Sequence, residues 1–169
     1  MQMSGVAQKH VPATTLPVGL SDDSLKITAV DHKVQEDARR LVWSGSSVAS
    51  VLLVSGKPVD VSRESNGDVQ LQLTLRRDSA VTAPVWLGVG CGEKCGGRVD
   101  VQKTLAALPQ GQWKVVGVPL KCFAVAGADV TKLSEVASIE SAAALTLSIS
   151  KVALGALNEA EVGVDCPVK

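Results

Sequence analysis

The chain has 169 residues, 46% of them hydrophobic, and seventeen basic side chains balance seventeen acidic ones. That length supports one self-sufficient core, and the zero net charge offers no global field to draw in nucleic acid or an anionic membrane, so neither is expected as a partner. The apolar content is mainly Val, Ala and Leu, with three Trp, one Phe and no Tyr, so the core is aliphatic and each aromatic can be weighed individually. No apolar run approaches the ~20 residues that a helix needs to cross a bilayer, and a soluble chain is expected.

The first twenty residues, MQMSGVAQKHVPATTLPVGL, have neither the basic start nor the compact apolar centre of a secretory signal. With Pro12, Pro17 and two threonines, residues 1–24 read as an extended arm or linker, and 25–169 as the folded domain. From LKITAV at 25–30 onward, short β-branched and Leu-rich segments are separated by turn clusters at intervals of about ten residues, the pattern of an all-β sandwich or barrel. SVASVLLV at 47–54 is one strand, ESNGD at 64–68 a turn, and VQLQLTLR at 69–76 the clearest strand. In it Val69, Leu71, Leu73 and Leu75 share a core face, and Gln70, Gln72, Thr74 and Arg76 a wet one. PVWLGVG at 84–90 follows, then VQKTLAAL at 101–108 as a short helix ended by Pro109. WKVVGVPL at 113–120 and ALTLSISKVAL at 144–154 complete the strands, with KLSEV at 132–136 as a second helical turn. The expected fold is a two-layer antiparallel β-sandwich, a jelly roll with one or two short helices. Its core is expected to include Val69, Leu71, Leu73, Leu75, Val85, Leu87, Val89, Val115, Leu145, Leu147 and Ile149.

Catalytic signatures are missing. The only histidines, His10 and His32, stand near the N-terminus with no nucleophile-elbow motif, which argues against a Ser-His-Asp hydrolase. The glycine-rich GVGCGEKCGG lacks a Walker lysine followed by Ser or Thr and lies in no βαβ unit, so it reads as a tight loop and not a phosphate cradle. Glycoside hydrolysis needs only two spaced carboxylates, but a subsite also needs aromatic platforms, and the chain has little aromatic material for them. No catalytic residue is assigned.

Cys91, Cys95, Cys122 and Cys166 permit three complete pairings. The C-x3-C spacing of Cys91 and Cys95 matches neither a redox C-x-x-C motif nor half of a standard zinc pattern, and no metal site is assigned. Gly92, Gly96 and Gly97 allow the positive φ values of a tight loop, so Cys91 and Cys95 form a candidate disulfide. Asp60, Glu64, Asp68, Asp100 and Asp129 offer oxygen ligands for structural calcium, but none has EF-hand spacing; solvated turns, and no cofactor, are expected.

If VQLQLTLR and PVWLGVG form an antiparallel pair, Trp86 falls near Thr74 on the face of Gln70, Gln72 and Arg76, with Gly88 and Gly90 opposite the two glutamines. This constellation of Trp86, Gln70, Gln72 and Arg76 is the candidate carbohydrate-contact or docking face, since an indole beside amide and guanidinium donors suits a sugar ring. Trp43, Trp113 and Phe123 are expected in the core.

Four segments in order carry a resemblance: VQEDARRLVWSG at 34–45, GKPVDVSRESNGDVQLQLTLR at 56–76, CGEKCGGRVDV at 91–101 and GQWKVVGVPLKCFAVAGADV at 111–130. They resemble the C-terminal galactose-binding-like domain of bacterial glycoside hydrolase family 3 β-glucosidases and exo-glucanases. The resemblance implies a non-catalytic accessory domain that packs against the catalytic domains of a parent hydrolase acting on β-glucosides. The alternative role is weak binding of β-glucan oligosaccharides. It also implies a periplasmic or extracellular location for the parent protein.

Overall fold

The computed structural model describes residues 23–92 and 94–166, and the backbone of residues 2–3 and 10–12. The arm expected over 1–24 thus lies largely outside the described residues.

Twelve strands among the described residues form two sheets. They are β1 (Gln2–Met3), β2 (His10–Pro12), β3 (Leu25–Val30), β4 (Ala38–Trp43), β5 (Ala49–Val59), β6 (Val69–Arg77), β7 (Val85–Gly90), β8 (Gly97–Asp100), β9 (Trp113–Pro119), β10 (Leu133–Ser141), β11 (Leu145–Ala156) and β12 (Val162–Gly163). One sheet has the order β1-β5-β10-β7-β8, the other β12-β9-β6-β11-β4-β3, with β2 beside the far end of β11. The chain crosses between layers repeatedly: β4 to β5, β5 to β6, β6 to β7, and again around β9, β10 and β11. This is a β-sandwich of jelly-roll type. Short helices α1 (Ser62–Asn66), α2 (Gln102–Ala107) and α3 (Leu120–Val125) sit between strands.

The core lies where the inner faces meet. Leu73, Leu75 and Leu147 of the larger sheet face Val85, Leu87 and Ile139 of the other around a cavity of about 20 Å³. Trp43 and Phe123 are at most 1% exposed, as expected of core aromatics. Of the expected core, Leu71, Leu73, Leu75, Val85, Leu87, Val89, Leu145, Leu147 and Ile149 are buried, and Val69 packs partly buried against them.

Four local expectations are corrected. Val115 is only half-buried, because strand β9 runs one residue out of the expected phase: Val116 and Val118 enter the core instead. All of KLSEV after Lys132 belongs to β10, where Leu133, Ala137, Ile139 and Ser141 are buried with strand periodicity; five residues are too few to separate a helical turn from a strand. ESNGD begins inside α1, and only Gly67 and Asp68 form the turn. Most consequentially, β6 and β7 do not pair: β6 ends at Arg77, and β7 begins at Val85 in the opposite sheet. The connection is longer than the short loops that close hairpins. Arg77 anchors its start by donating to the carbonyls of Leu108 and Ser79.

A bulge in β11 also matters for the surface. The pairing with β6 shifts between Ile149 and Lys151, so Ser150 is the extra residue. After it Val152 returns to the core and Lys151 faces outward opposite Thr74.

Candidate functional site

The outer face of the larger sheet carries a trough of about 650 Å³ lined by residues from five places: the β3–β4 loop, β6, β9, the bulge of β11 and the segment before β12. Strand register brings them together. Trp113 lies opposite Arg76, and Val115 opposite Thr74 on β9 and β6. Lys151 of β11 lies on the other side of Thr74. His32, Lys33 and Asp37 reach in from the loop, and Lys114 and Glu161 complete the lining.

The loop over residues 31–37 is held by carboxylates at both ends. Asp37 accepts hydrogen bonds from the backbone N–H groups of His32 (2.6 Å), Lys33 (3.0 Å) and Val34 (3.2 Å). Asp31 accepts from the N–H of Glu36 at 2.6 Å, and Glu36 takes a left-handed conformation at φ 56°. Side-chain capture of backbone donors of this kind fixes a loop without regular secondary structure. It presents the His32 ring 4.2 Å from the Trp113 ring, tilted by 33°. The Arg76 guanidinium lies 5.2 Å from the same indole, in cation–π range. Arg76 is in turn held by Asp78 at 2.5 Å, and Asp78 also accepts from Ser148 Oγ at 2.5 Å and faces Arg40 at 3.6 Å.

Two titrations follow from these contacts. His32 is lowered from its ordinary pKa, chiefly by burial against the sheet; Asp37 opposes the shift, while Lys33 and Arg76 reinforce it. Desolvation pushes Asp37 upward, but the three backbone donors and the nearby His32 together outweigh it and leave its pKa lowered. Asp37 is therefore an ionised acceptor with its lone pairs committed, the opposite of a carboxyl raised to serve as a general acid. Glu161 pairs with Lys114 at 3.2 Å.

The residues singled out from the sequence are dispersed. Arg76 lies at the trough. Gln70 and Gln72 share its strand face, but they are buried beneath the 3-10 turn at Leu157–Glu159. Both amides donate to the Ala156 carbonyl at 3.1 Å, and Gln70 also to Leu157 at 3.3 Å, so they hold the turn and are closed to a ligand. The small residues opposite them are Gly117 and Gly155, not Gly88 and Gly90. Trp86 is on the other sheet, opposite Glu140 and Asp100. Arg98 lies over its ring at 4.2 Å and pairs with Glu140 at 2.8 Å. The aromatic beside Arg76 is thus Trp113, which was expected in the core but is partly exposed. Its signal in the sequence is the phase of WKVVGVPL: Gly117 and Pro119 fall on the same side as Trp113, leaving Val116 and Val118 for the core. His32 and Asp37 carry no such signal, since only the tertiary fold brings the β3–β4 loop over β9.

Cys91 is joined to Cys95, with Cα atoms 5.2 Å apart, and Cys122 to Cys166, with Cα atoms 5.7 Å apart. In the first loop positive φ occurs at Gly92 and Lys94. Gly97 instead permits close approach: a Cβ there would stand 2.3 Å from the Phe123 carbonyl oxygen. The acidic residues Asp60 and Asp129 cap their own turns, accepting from Ser62 and Thr131 through both N–H and hydroxyl, which lowers their pKa values. Asp100 accepts from the N–H of Gln102 at 2.9 Å. Among the described residues, no three His, Cys, Asp or Glu side chains gather as a metal-holding group.

With this geometry in hand, comparisons with known proteins are specific. The family model described as galactose-binding domain-like, Exop_C, matches residues 3–154. Among solved structures, the exo-1,3/1,4-β-glucanase ExoP from a Pseudoalteromonas species is similar at 25% identity and a TM-score of 0.69. The match covers 87% of this chain and 17% of that one, so the chain spans about a sixth of that enzyme's length. The extra C-terminal domain of the same exo-glucanase, solved alone, is similar at 23% identity and a TM-score of 0.66, over 86% of this chain and 79% of that one. The family 30 carbohydrate-binding module of the cellulosomal cellulase Cel9D-Cel44B of Clostridium thermocellum shares the fold at 14% identity and a TM-score of 0.62, over 82% of this chain and 86% of that one. Comparison with curated protein sequences gives no match. The chain belongs to the Exop_C family of galactose-binding domain-like modules.

Proposed function

We propose that the chain is a non-catalytic accessory domain of a family 3 β-glucosidase or exo-glucanase, and that it contacts saccharide through the trough over Trp113. The observation that carries this reading is the juxtaposition of a partly exposed indole, the His32 ring and the polar side chains of Thr74, Lys151 and Lys114 in one open groove. An apolar ring edge flanked by donors is the chemistry that recognises a pyranose. The test is titration of the chain with laminari- and cello-oligosaccharides, followed by tryptophan fluorescence and calorimetry. One sugar on one partly covered indole gives an affinity of about millimolar, because ordering costs consume most of the contact energy. Trp113→Ala removes the response and Trp86→Ala retains it; a response that survives Trp113→Ala refutes the site.

A second reading concerns the opposite sheet. Leu52 is 43% exposed there, beside Ser138 in a sheet that also carries Trp86 under Arg98. This face is the surface offered to the catalytic domains of the parent hydrolase. Trp86→Ala is expected to weaken association with a separately produced hydrolase body, and unchanged association would remove this reading.

A further inference from the structure

We infer that the Trp113 trough is matched to an anionic saccharide, one that carries a carboxylate or a sulfate ester; this rests on the saccharide reading of the same groove. The inference comes from an account of the charges. In a chain with no net charge, the trough is lined by Lys33, Lys114 and Lys151 against Asp37 and Glu161, and next to it Arg76, over the Trp113 ring, and Arg40 share Asp78. Each carboxylate is already engaged. Asp37 accepts three backbone N–H groups, Asp78 holds Arg76, Arg40 and Ser148, and Glu161 holds Lys114.

Lys33 and Lys151, which both line the groove, make no ion pair among the described residues. Beside them Asp37, bound only by neutral backbone N–H groups, keeps its charge, so two ammonium groups face one carboxylate that is outside any ion pair among the described residues, and the groove keeps a net positive excess. A neutral glucan satisfies these ammonium groups only as hydrogen-bond donors. An anionic substituent also meets their charge; because both side chains are exposed, the gain is modest and weakens with added salt. Lys151 reaches this position because the Ser150 bulge turns it outward beside Thr74, and Lys33 because Asp37 fixes the backbone of its loop. Both side chains therefore spring from backbone positions that the fold fixes.

The experiment is calorimetric titration of the intact chain with three gluco-oligosaccharides of one length: neutral, bearing a glucuronate residue, and bearing a sulfate ester. At low salt at least one anionic ligand is expected to bind about fivefold tighter than the neutral one, the gain from two partly exposed ion pairs. Added salt narrows the difference, and the paired substitution Lys33→Gln with Lys151→Gln makes the ligands bind alike. A preference confined to the glucuronate identifies a uronate ligand, and one confined to the sulfate a sulfated ligand; either upholds the inference. Equal affinity for all three in the unmodified chain overturns it and leaves the saccharide reading intact. A preference retained in the paired variant also overturns it, by placing the anion elsewhere. If none of the three binds, the saccharide reading fails together with the inference.

Discussion

Gln70 shows how a polar side chain on a seemingly wet strand face becomes structural. It is 1% exposed, and its amide donates to two carbonyls of the turn that covers it. Gln70→Ala is expected to cost about 1–3 kcal/mol, because the Ala156 and Leu157 carbonyls lose the donor that holds the turn, and Leu73→Ala about 2–5 kcal/mol through the cavity it leaves. Urea unfolding of the two variants checks both values. His32 supports a prediction of a different kind. Its lowered pKa means that the unfolded chain takes up the proton more readily, so its contribution to stability is complete above the ordinary value of 6.5 and declines as the pH falls from there towards the folded pKa. Tryptophan emission of the folded protein is expected to fall over an acidic titration with a midpoint below 6.5, as the imidazolium forms against Trp113. His32→Ala removes that step, and a step that persists in the variant excludes His32 as its origin.

Helices and strands here meet at positions where no side chain fits. Strand β8 passes under α3 at Gly97, where a Cβ would stand 2.3 Å from the Phe123 carbonyl and 2.9 Å from the Ala128 nitrogen. Both are backbone atoms, so neither can rotate away. Gly97→Ala is expected to destabilise the domain by about 1–3 kcal/mol, the range for overpacking, as read from its melting curve. Ala at Gly92 meets nothing within 4 Å, and its cost comes only from the left-handed backbone at φ 95°. The β3–β4 loop is an element of the same standing: its two aspartates, and not a helix or strand, set where His32 stands relative to β9.

The whole fold is closed by crosslinks of unequal weight. Cys122–Cys166 spans 44 residues and ties α3 to the segment after β12, whereas Cys91–Cys95 spans four and shapes one loop. In the chain-entropy account the first contributes about 4 kcal/mol and the second about 2 kcal/mol. Graded reduction with stability measured at each stage is expected to show the larger loss on opening Cys122–Cys166. The same connectivity explains the two faces of the molecule. Because the chain alternates between layers, the Trp113 trough and the Trp86 surface lie on opposite sheets, so a saccharide and a hydrolase body would not compete for one surface.

Period-two alternation is a local property, and it carried most of the fold: the core face of VQLQLTLR and the strands around Val85 and Leu145 were legible in the residues, as was the short helix at 101–108 from the Pro109 that ends it. The four resembling segments likewise carried the family. What the residues left open is the partner of each strand. Nothing in VQLQLTLR or PVWLGVG says that the chain between them changes sheets, and an error there moved Trp86 to the wrong face. A one-residue phase error in β9 hid Trp113 in the core, because a strand with apolar residues on both sides has no unique inward face by pattern. The bulge at Ser150 and the approach of His32 to Trp113 depend on contacts between segments far apart in sequence. Burial, which decides between phases and pairings, is settled only when both sheets are in place.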